Sequence, residues 1–185
     1  MKIIVGLGNP GVRFEKTRHN AGATTLDALF TLLKSDGNPL QEDWKKSKGS
    51  LSYFWFDVDG EKVELVRPQT FMNDSGLVFA YIKKKHSDLD LDNLFVIHDD
   101  LDIGLGDFKI QKGKGPKDHN GLASIYEKLG SKDFWHVRVG IENRKVGRKV
   151  LGEEYVLQPF SDEEGEVLRK TIKKIVEEVV GKLHE

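Results

Sequence analysis

Residues 1–22 read MKIIVGLGNPGVRFEKTRHNAG, and the fold follows from how this stretch divides. Lys2-Ile3-Ile4-Val5 is a short β-branched run of the kind that forms a buried first strand. Gly6, Gly8 and Gly11 interrupt it at once, so the chain turns sharply where a core strand ends. Polar groups able to do chemistry follow: Asn9, Arg18, His19 and Asn20. In open α/β sheets ligands sit outside the carboxyl ends of the strands, and these groups should fall there.

Downstream, Leu26, Leu29, Phe30 and Leu33 recur at helical spacing and predict an amphipathic helix over 22–34. Ser35 to Gly49 is polar, holds Gly37, Pro39 and Gly49, and reads as a long exposed connection. Strands are expected at 51–57 and 62–66, joined by the hairpin signal Asp59-Gly60, with Arg67-Pro68 ending the second. Thr70 to Gly76 leads into a helix carrying Leu77, Val78, Tyr81 and Ile82, capped by Asn73 or Asp74. The apolar run Leu94-Phe95-Val96-Ile97 marks a strand buried on both faces, ending in His98-Asp99-Asp100. Residues 103–118, rich in glycine and lysine, read as a mobile, lid-like loop. Another helix (Leu122, Ile125, Tyr126, Leu129) and a strand over 137–141 follow. Ser161 to Glu164 forms a capping box opening a last helix with Leu168, Ile172, Ile175, Val176, Val179 and Leu183 on one stripe. Alternating strands and helices, without repeat or linker, predict a single three-layer α/β domain over 1–185. Its twisted central sheet is made mixed by the hairpin and flanked by helices.

Composition bounds the function. At 185 residues and 38% hydrophobic content the chain supports one real core. Lys plus Arg (29) nearly cancel Asp plus Glu (30), so overall charge singles out no partner. The absence of cysteine excludes disulfides, a thiolate nucleophile and cysteine-ligated metal, and fits the cytosol. The N-terminus enters a strand without a secretory n- and h-region, and no apolar run could span a bilayer, which argues against secretion and membrane insertion. Charge is uneven along the chain. Seven aspartates and no lysine or arginine lie from Asp88 to Asp107. Between Lys109 and Lys149 eleven basic residues, Arg148 and Lys149 among them, face only Asp118, Glu127, Asp133 and Glu142. Such a block is either a solvated face or a surface for a polyanion.

Three chemistries compete. Gly6-Leu7-Gly8-Asn9-Pro10-Gly11 matches the dinucleotide fingerprint, yet Val12 to Asn20 lacks the apolar stripe of the helix it should open, and no second strand ends in a ribose-binding acid. A metal centre could draw on His98, Asp99, Asp100 and Asp102, with His19 or His119. Adjacent strand residues point to opposite faces, however, and no paired-histidine motif supports it. The third is hydrolysis by a histidine base. Asp99, at the carboxyl end of a buried strand, could hold the tautomer of His19 beyond the first strand, while Asn9, Asn73 and Asn120 could bind a carbonyl or its oxyanion. Without cysteine or a nucleophile elbow, direct attack by water is simpler than a covalent intermediate. Singly, each residue has an ordinary role in a turn or cap; their joint placement at strand ends favours a site.

The stretch Gly6 to Gly22 resembles the opening signature of bacterial-type peptidyl-tRNA hydrolases. The likeness continues in order through Arg67 to Gly76 (RPQTFMNDSG), His98 to Asp102 (HDDLD), His119 to Leu122 (HNGL), Val137 to Ile141 (VRVGI) and Tyr155 to Phe160 (YVLQPF). The resemblance implies the fold of that family, shared with phosphorylase-like enzymes, and a monomeric cytoplasmic enzyme without metal or other cofactor. It would release peptide from the 3′ end of tRNA and need no protein partner. By position His19 is then the general base, Asp99 its orienting acid, and Asn9 the group that tells blocked from free aminoacyl chains. Asn73 and Asn120 would bind peptide and CCA end, Phe71 and Met72 would line the same cleft with His119, and Phe14 would stack on the terminal nucleotide. Lys109, Lys112, Lys114, Lys117 and Arg138 would clamp tRNA phosphates. Two departures stand out: Phe14 replaces the family's usual tyrosine, and Lys114-Gly115-Pro116-Lys117-Asp118 replaces a small glycine-rich loop. Pro116 stiffens that loop and Asp118 sets a negative charge in the substrate's path, so altered substrate handling is expected. The alternative is a non-catalytic RNA-binding relative of the intron-splicing type, which has no need of an oriented base.

Overall fold

The computed structural model describes residues 1–36, 38–47, 50–145 and 150–184. Gly37, Gly49, Arg148 and Lys149 therefore lie outside the described residues. β1 (Lys2–Gly6) ends in two single-turn 3-10 helices, Val12–Phe14 and Arg18–Asn20, before α1 (Ala21–Asp36). The charged stretch thus forms no dinucleotide-type helix. Gly22 lets α1 approach the sheet, since a Cβ there would stand 2.3 Å from the Ile97 carbonyl oxygen.

The polar connection after α1 carries two short strands, β2 (Asn38–Pro39) and β3 (Lys45–Ser47), both antiparallel to β4 (Leu51–Val58). β4 pairs with β5 (Glu61–Pro68) through the expected Asp59-Gly60 turn, where both residues have positive φ, 53° and 85°. A 3-10 segment, Met72–Leu77, runs into α2 (Val78–Lys85). Neither Asn73 nor Asp74 caps it: Phe71 occupies the cap position and no side chain bonds there.

β6 (Leu94–Gly104) does not stop at Ile97 but continues through His98, Asp99 and Asp100. The anticipated lid therefore divides. Its first part completes β6, its middle is β7 (Phe108–Lys112), antiparallel to β8 (Trp135–Glu142), and only 113–118 remains a loop before α3 (Asn120–Leu129). α4 (Gly152–Val156), not anticipated, precedes α5 (Asp162–Leu183), whose capping box forms as expected between Ser161 and Glu164.

The eight strands make one mixed sheet in the order β2-β4-β5-β1-β6-β8-β7, with β3 beside β4. β5, β1, β6 and β8 run parallel at its centre. Alternation along β1 splits the core: Ile4 joins the apolar faces of α1 and α5, whereas Ile3 and Val5 join those of α2 and α3. The α5 stripe from Leu168 to Leu183 is buried as its spacing requires. Each such aliphatic side chain contributes about 1.5–3 kcal/mol. Among the described residues no helix is long and apolar enough to cross a membrane.

Candidate active site

The carboxyl ends of β1 and β6 carry the site. β1 pairs with β6 only as far as Ile97, so the next residues of β6 project beyond its neighbour, toward the turn holding His19. His19 Nδ1–H donates to Asp99 Oδ1 at 2.8 Å. His119 Nε2–H donates to the same oxygen at 3.0 Å. The His119 tautomer follows from its other nitrogen, which accepts the Leu122 backbone N–H at 3.2 Å and caps α3. With Nδ1 of His19 committed as donor, its Nε2 carries the lone pair and has no partner among the described residues.

Electrostatics keep Asp99 anionic. Burial, the largest single influence, pushes its pKa up, but the imidazoles of His119 and His19 and their hydrogen bonds together hold the carboxyl well below the usual carboxylate range. A second, buried histidine pair lies behind. His98 Nδ1–H donates to the Asp99 carbonyl oxygen at 2.9 Å, and its Nε2 stands 3.3 Å from His136 Nδ1. Burial drives both pKa values down, that of His136 to about 4.

The residues beside His19 are clasped together. Asn9 N–H donates to Asn20 Oδ1 at 2.8 Å and Asn20 Nδ2–H returns to the Asn9 carbonyl at 2.9 Å. Asn9 Oδ1 accepts the Met72 N–H at 2.8 Å, which orients the amide and leaves its NH₂ available. Phe14 and Phe71 meet edge to face at 6.1 Å, with Phe71 and Asn73 exposed. On the other side of His19 lies a cavity of about 460 Å³ lined by His19, Asp99, Asp118, His119 and Asn120. Leu101, Leu151, Gly152, Glu153 and Val156 complete it; Leu101 and Val156 fall within the HDDLD and YVLQPF blocks, and no motif marked the other three. A larger hollow of about 600 Å³ opens at the amino edge of the sheet beside Lys2 and Trp135, far from this convergence.

One expected phosphate contact is corrected, and a second stands apart from His19. Arg138 is buried, its Nε donating to Asp100 Oδ2 at 2.7 Å and its Nη1 to Gln111 Oε1 at 2.9 Å, so it is unavailable to a phosphate. Lys112 pairs with Asp92 and sits opposite Trp135, at the amino end of β8 and away from the site. Lys109, Lys114 and Lys117 are exposed, and their ammonium groups have no acidic partner among the described residues; the Lys117 backbone N–H donates to Asp102 Oδ2 at 3.1 Å.

The metal centre considered around His98 takes a different form. Among the described residues, the three groups whose ligand atoms approach within 4.8 Å of one another are His19, Asp99 and His119. They fit a cation poorly: metal on His119 Nε2 would shift its proton to Nδ1, where the Leu122 N–H already points. The donor set is arranged for protons.

A three-layer α/β domain with a carboxylate-oriented imidazole beyond the carboxyl end of β1 has the layout of an enzyme that works by acid–base chemistry. The sequence model of the peptidyl-tRNA hydrolase family matches residues 3–185. The chain belongs to the peptidyl-tRNA hydrolase family. It is 43% identical over 179 residues to the peptidyl-tRNA hydrolase of Geotalea daltonii (96% of this chain, 87% of that protein). It is 38% identical over 172 residues to that of Staphylococcus saprophyticus (93% and 85%). Its fold superposes on the crystal structure of peptidyl-tRNA hydrolase from Acinetobacter baumannii with a TM-score of 0.78 at 27% identity, covering 99% of this chain and 92% of that one.

Proposed function

We propose that this enzyme cleaves the ester of peptidyl-tRNA by direct attack of a water activated at His19. Family membership supplies the reaction. The observation that carries the mechanism is the His19–Asp99 hydrogen bond of 2.8 Å, which leaves Nε2 as the basic nitrogen. The water oxygen attacks the ester carbonyl carbon while its proton passes to His19 Nε2. The tetrahedral intermediate collapses by breaking the bond to the ribose 3′ oxygen, which takes the proton from His19. Peptide carboxylic acid and free tRNA leave. Asp99 stabilises the transient imidazolium, and His119 holds Asp99 without itself exchanging a proton.

Asn9 donates to the peptide carbonyl next to the ester, a group that a free aminoacyl chain lacks. Asn73 and Asn120 bind peptide and CCA end, Met72 lines the cleft, and Phe14 with Phe71 offers ring faces to the terminal nucleotide. Lys109, Lys114 and Lys117 contact acceptor-stem phosphates, and the loop 113–118 acts as the lid over the bound end. The enzyme works as a monomer in the cytoplasm. The test is incubation with peptidyl-tRNA and with free aminoacyl-tRNA, each with chelator, for wild type and His19→Ala. Cleavage of the first substrate alone, insensitive to chelator and abolished by the substitution, is expected. Cleavage that requires a metal would refute the water-and-histidine mechanism, and binding without cleavage would favour a splicing-type role.

A further inference from the structure

The geometry points to a task for Arg18: it is a positioning residue that holds the His19 turn in place through the α4–α5 connection. The inference rests on the reading of His19 as base.

Arg18 is buried, an unusual setting for a cation, and nearly every part of it is engaged. Nη1 donates to the carbonyls of Pro159 at 2.6 Å and Gln158 at 3.2 Å, and Nη2 pairs with Glu164 at 2.6 Å. The guanidinium lies 4.2 Å from the ring centre of Tyr155 and 5.1 Å from that of Phe160. The backbone repeats the attachment: Arg18 N–H donates to the Gln158 carbonyl, Phe160 N–H to the Lys16 carbonyl, and Thr17 bridges to Pro159. Nε alone is buried without an acceptor, so the fork's orientation is set by its other partners.

These contacts hold the residue immediately before His19, while Asn20, immediately after it, is locked to Asn9. The base is therefore fixed from both sides of the chain. Glu164 opposes the Arg18 charge in direct contact, so the device acts by geometry rather than by its field on the imidazole. Lysine could not replace it, because a single ammonium centre cannot span two carbonyls and a carboxylate as the planar fork does while also packing against both rings.

The test uses Arg18→Ala and Arg18→Lys on peptidyl-tRNA. A cavity of about 460 Å³ lined by Arg18, Tyr155 and Glu164 gives methylguanidinium a route to the vacated position. A misplaced base costs on the order of 100-fold, so Arg18→Ala should lose about that much kcat with KM nearly unchanged. Millimolar methylguanidinium should restore a large part of it. The His19 Nδ1 proton resonance should broaden in the variant and return with rescue, while the pH midpoint of activity stays in place. Arg18→Lys should fall between wild type and alanine. Wild-type kcat in Arg18→Ala overturns the inference, as does a shifted pH midpoint or a loss matched by unfolding that methylguanidinium leaves unrepaired. Should the alanine variant fail to fold, Arg18→Lys decides by the same kcat and KM comparison. Failure of the wild type to cleave peptidyl-tRNA, or activity in His19→Ala, would instead strike the functional reading itself.

Discussion

Arg138 and Asp100 face each other at 2.7 Å on adjacent strands of the sheet, both buried. A charge in such a place cannot lose its partner cheaply, because the survivor stays desolvated and unpaired. Arg138→Gln should therefore lower unfolding stability by about 3–5 kcal/mol in chemical denaturation, with any loss of tRNA affinity secondary to it.

The exposed lysines should behave in the opposite way. Lys114→Gln and Lys117→Gln should leave stability and kcat unchanged, raise KM for peptidyl-tRNA, and each reduce the log–log salt slope of binding by about 1. Measuring KM across a salt series separates them from Arg138.

Asp99→Asn should leave KM near wild type and lower kcat by on the order of 10⁴. The asparagine amide can donate to His19 Nδ1, which flips the tautomer and places the proton on Nε2, where the lone pair is needed. Steady-state kinetics at saturating substrate check this.

Asp118 is exposed and lines the cavity beside His19, with no cationic partner among the described residues. Asp118→Gly should lower KM for peptidyl-tRNA several-fold by removing a charge that repels phosphates. Unchanged KM and turnover would show that the substrate never feels it.

Acid stability should report the buried His98–His136 pair. In the unfolded chain His136 takes up a proton near pH 6.5, whereas in the fold it does so only at about 4. The unfolded state then binds more protons between these values, so stability falls as pH drops through that window and levels off below it. The contribution of His136 is about 3 kcal/mol. His136→Asn should flatten this limb of a stability–pH series by close to one proton.

Much of this architecture was legible in residue patterns. The glycine-broken first strand, the Asp59-Gly60 hairpin and the Ser161–Glu164 box are local signals whose geometry needs no distant partner, and each formed as read. His19 and Asp99 could be paired because His19 follows the end of β1, and Asp99 lies in β6 just past Ile97, where its pairing with β1 stops. β7 was hidden: Phe108-Lys109-Ile110-Gln111 alternates, but the surrounding glycines and lysines gave the segment the composition of a loop. α4 is too short to show a period. The burial of Arg138 depended on register, since nothing in VRVGI tells that Asp100 lies on the next strand to neutralise it. The two roles of His119, as carboxylate clamp and helix cap, likewise emerge only once β6 and α3 are brought together.

The strap between Lys16–Arg18 and Gln158–Phe160 joins the catalytic turn to a segment made about 140 residues later. During its own synthesis the enzyme is a peptidyl-tRNA, the very compound it destroys. A growing chain that has not passed Glu164 has its histidine but not the anchor that aims it. The strap therefore closes last, after β1, β6 and α3 have all been made.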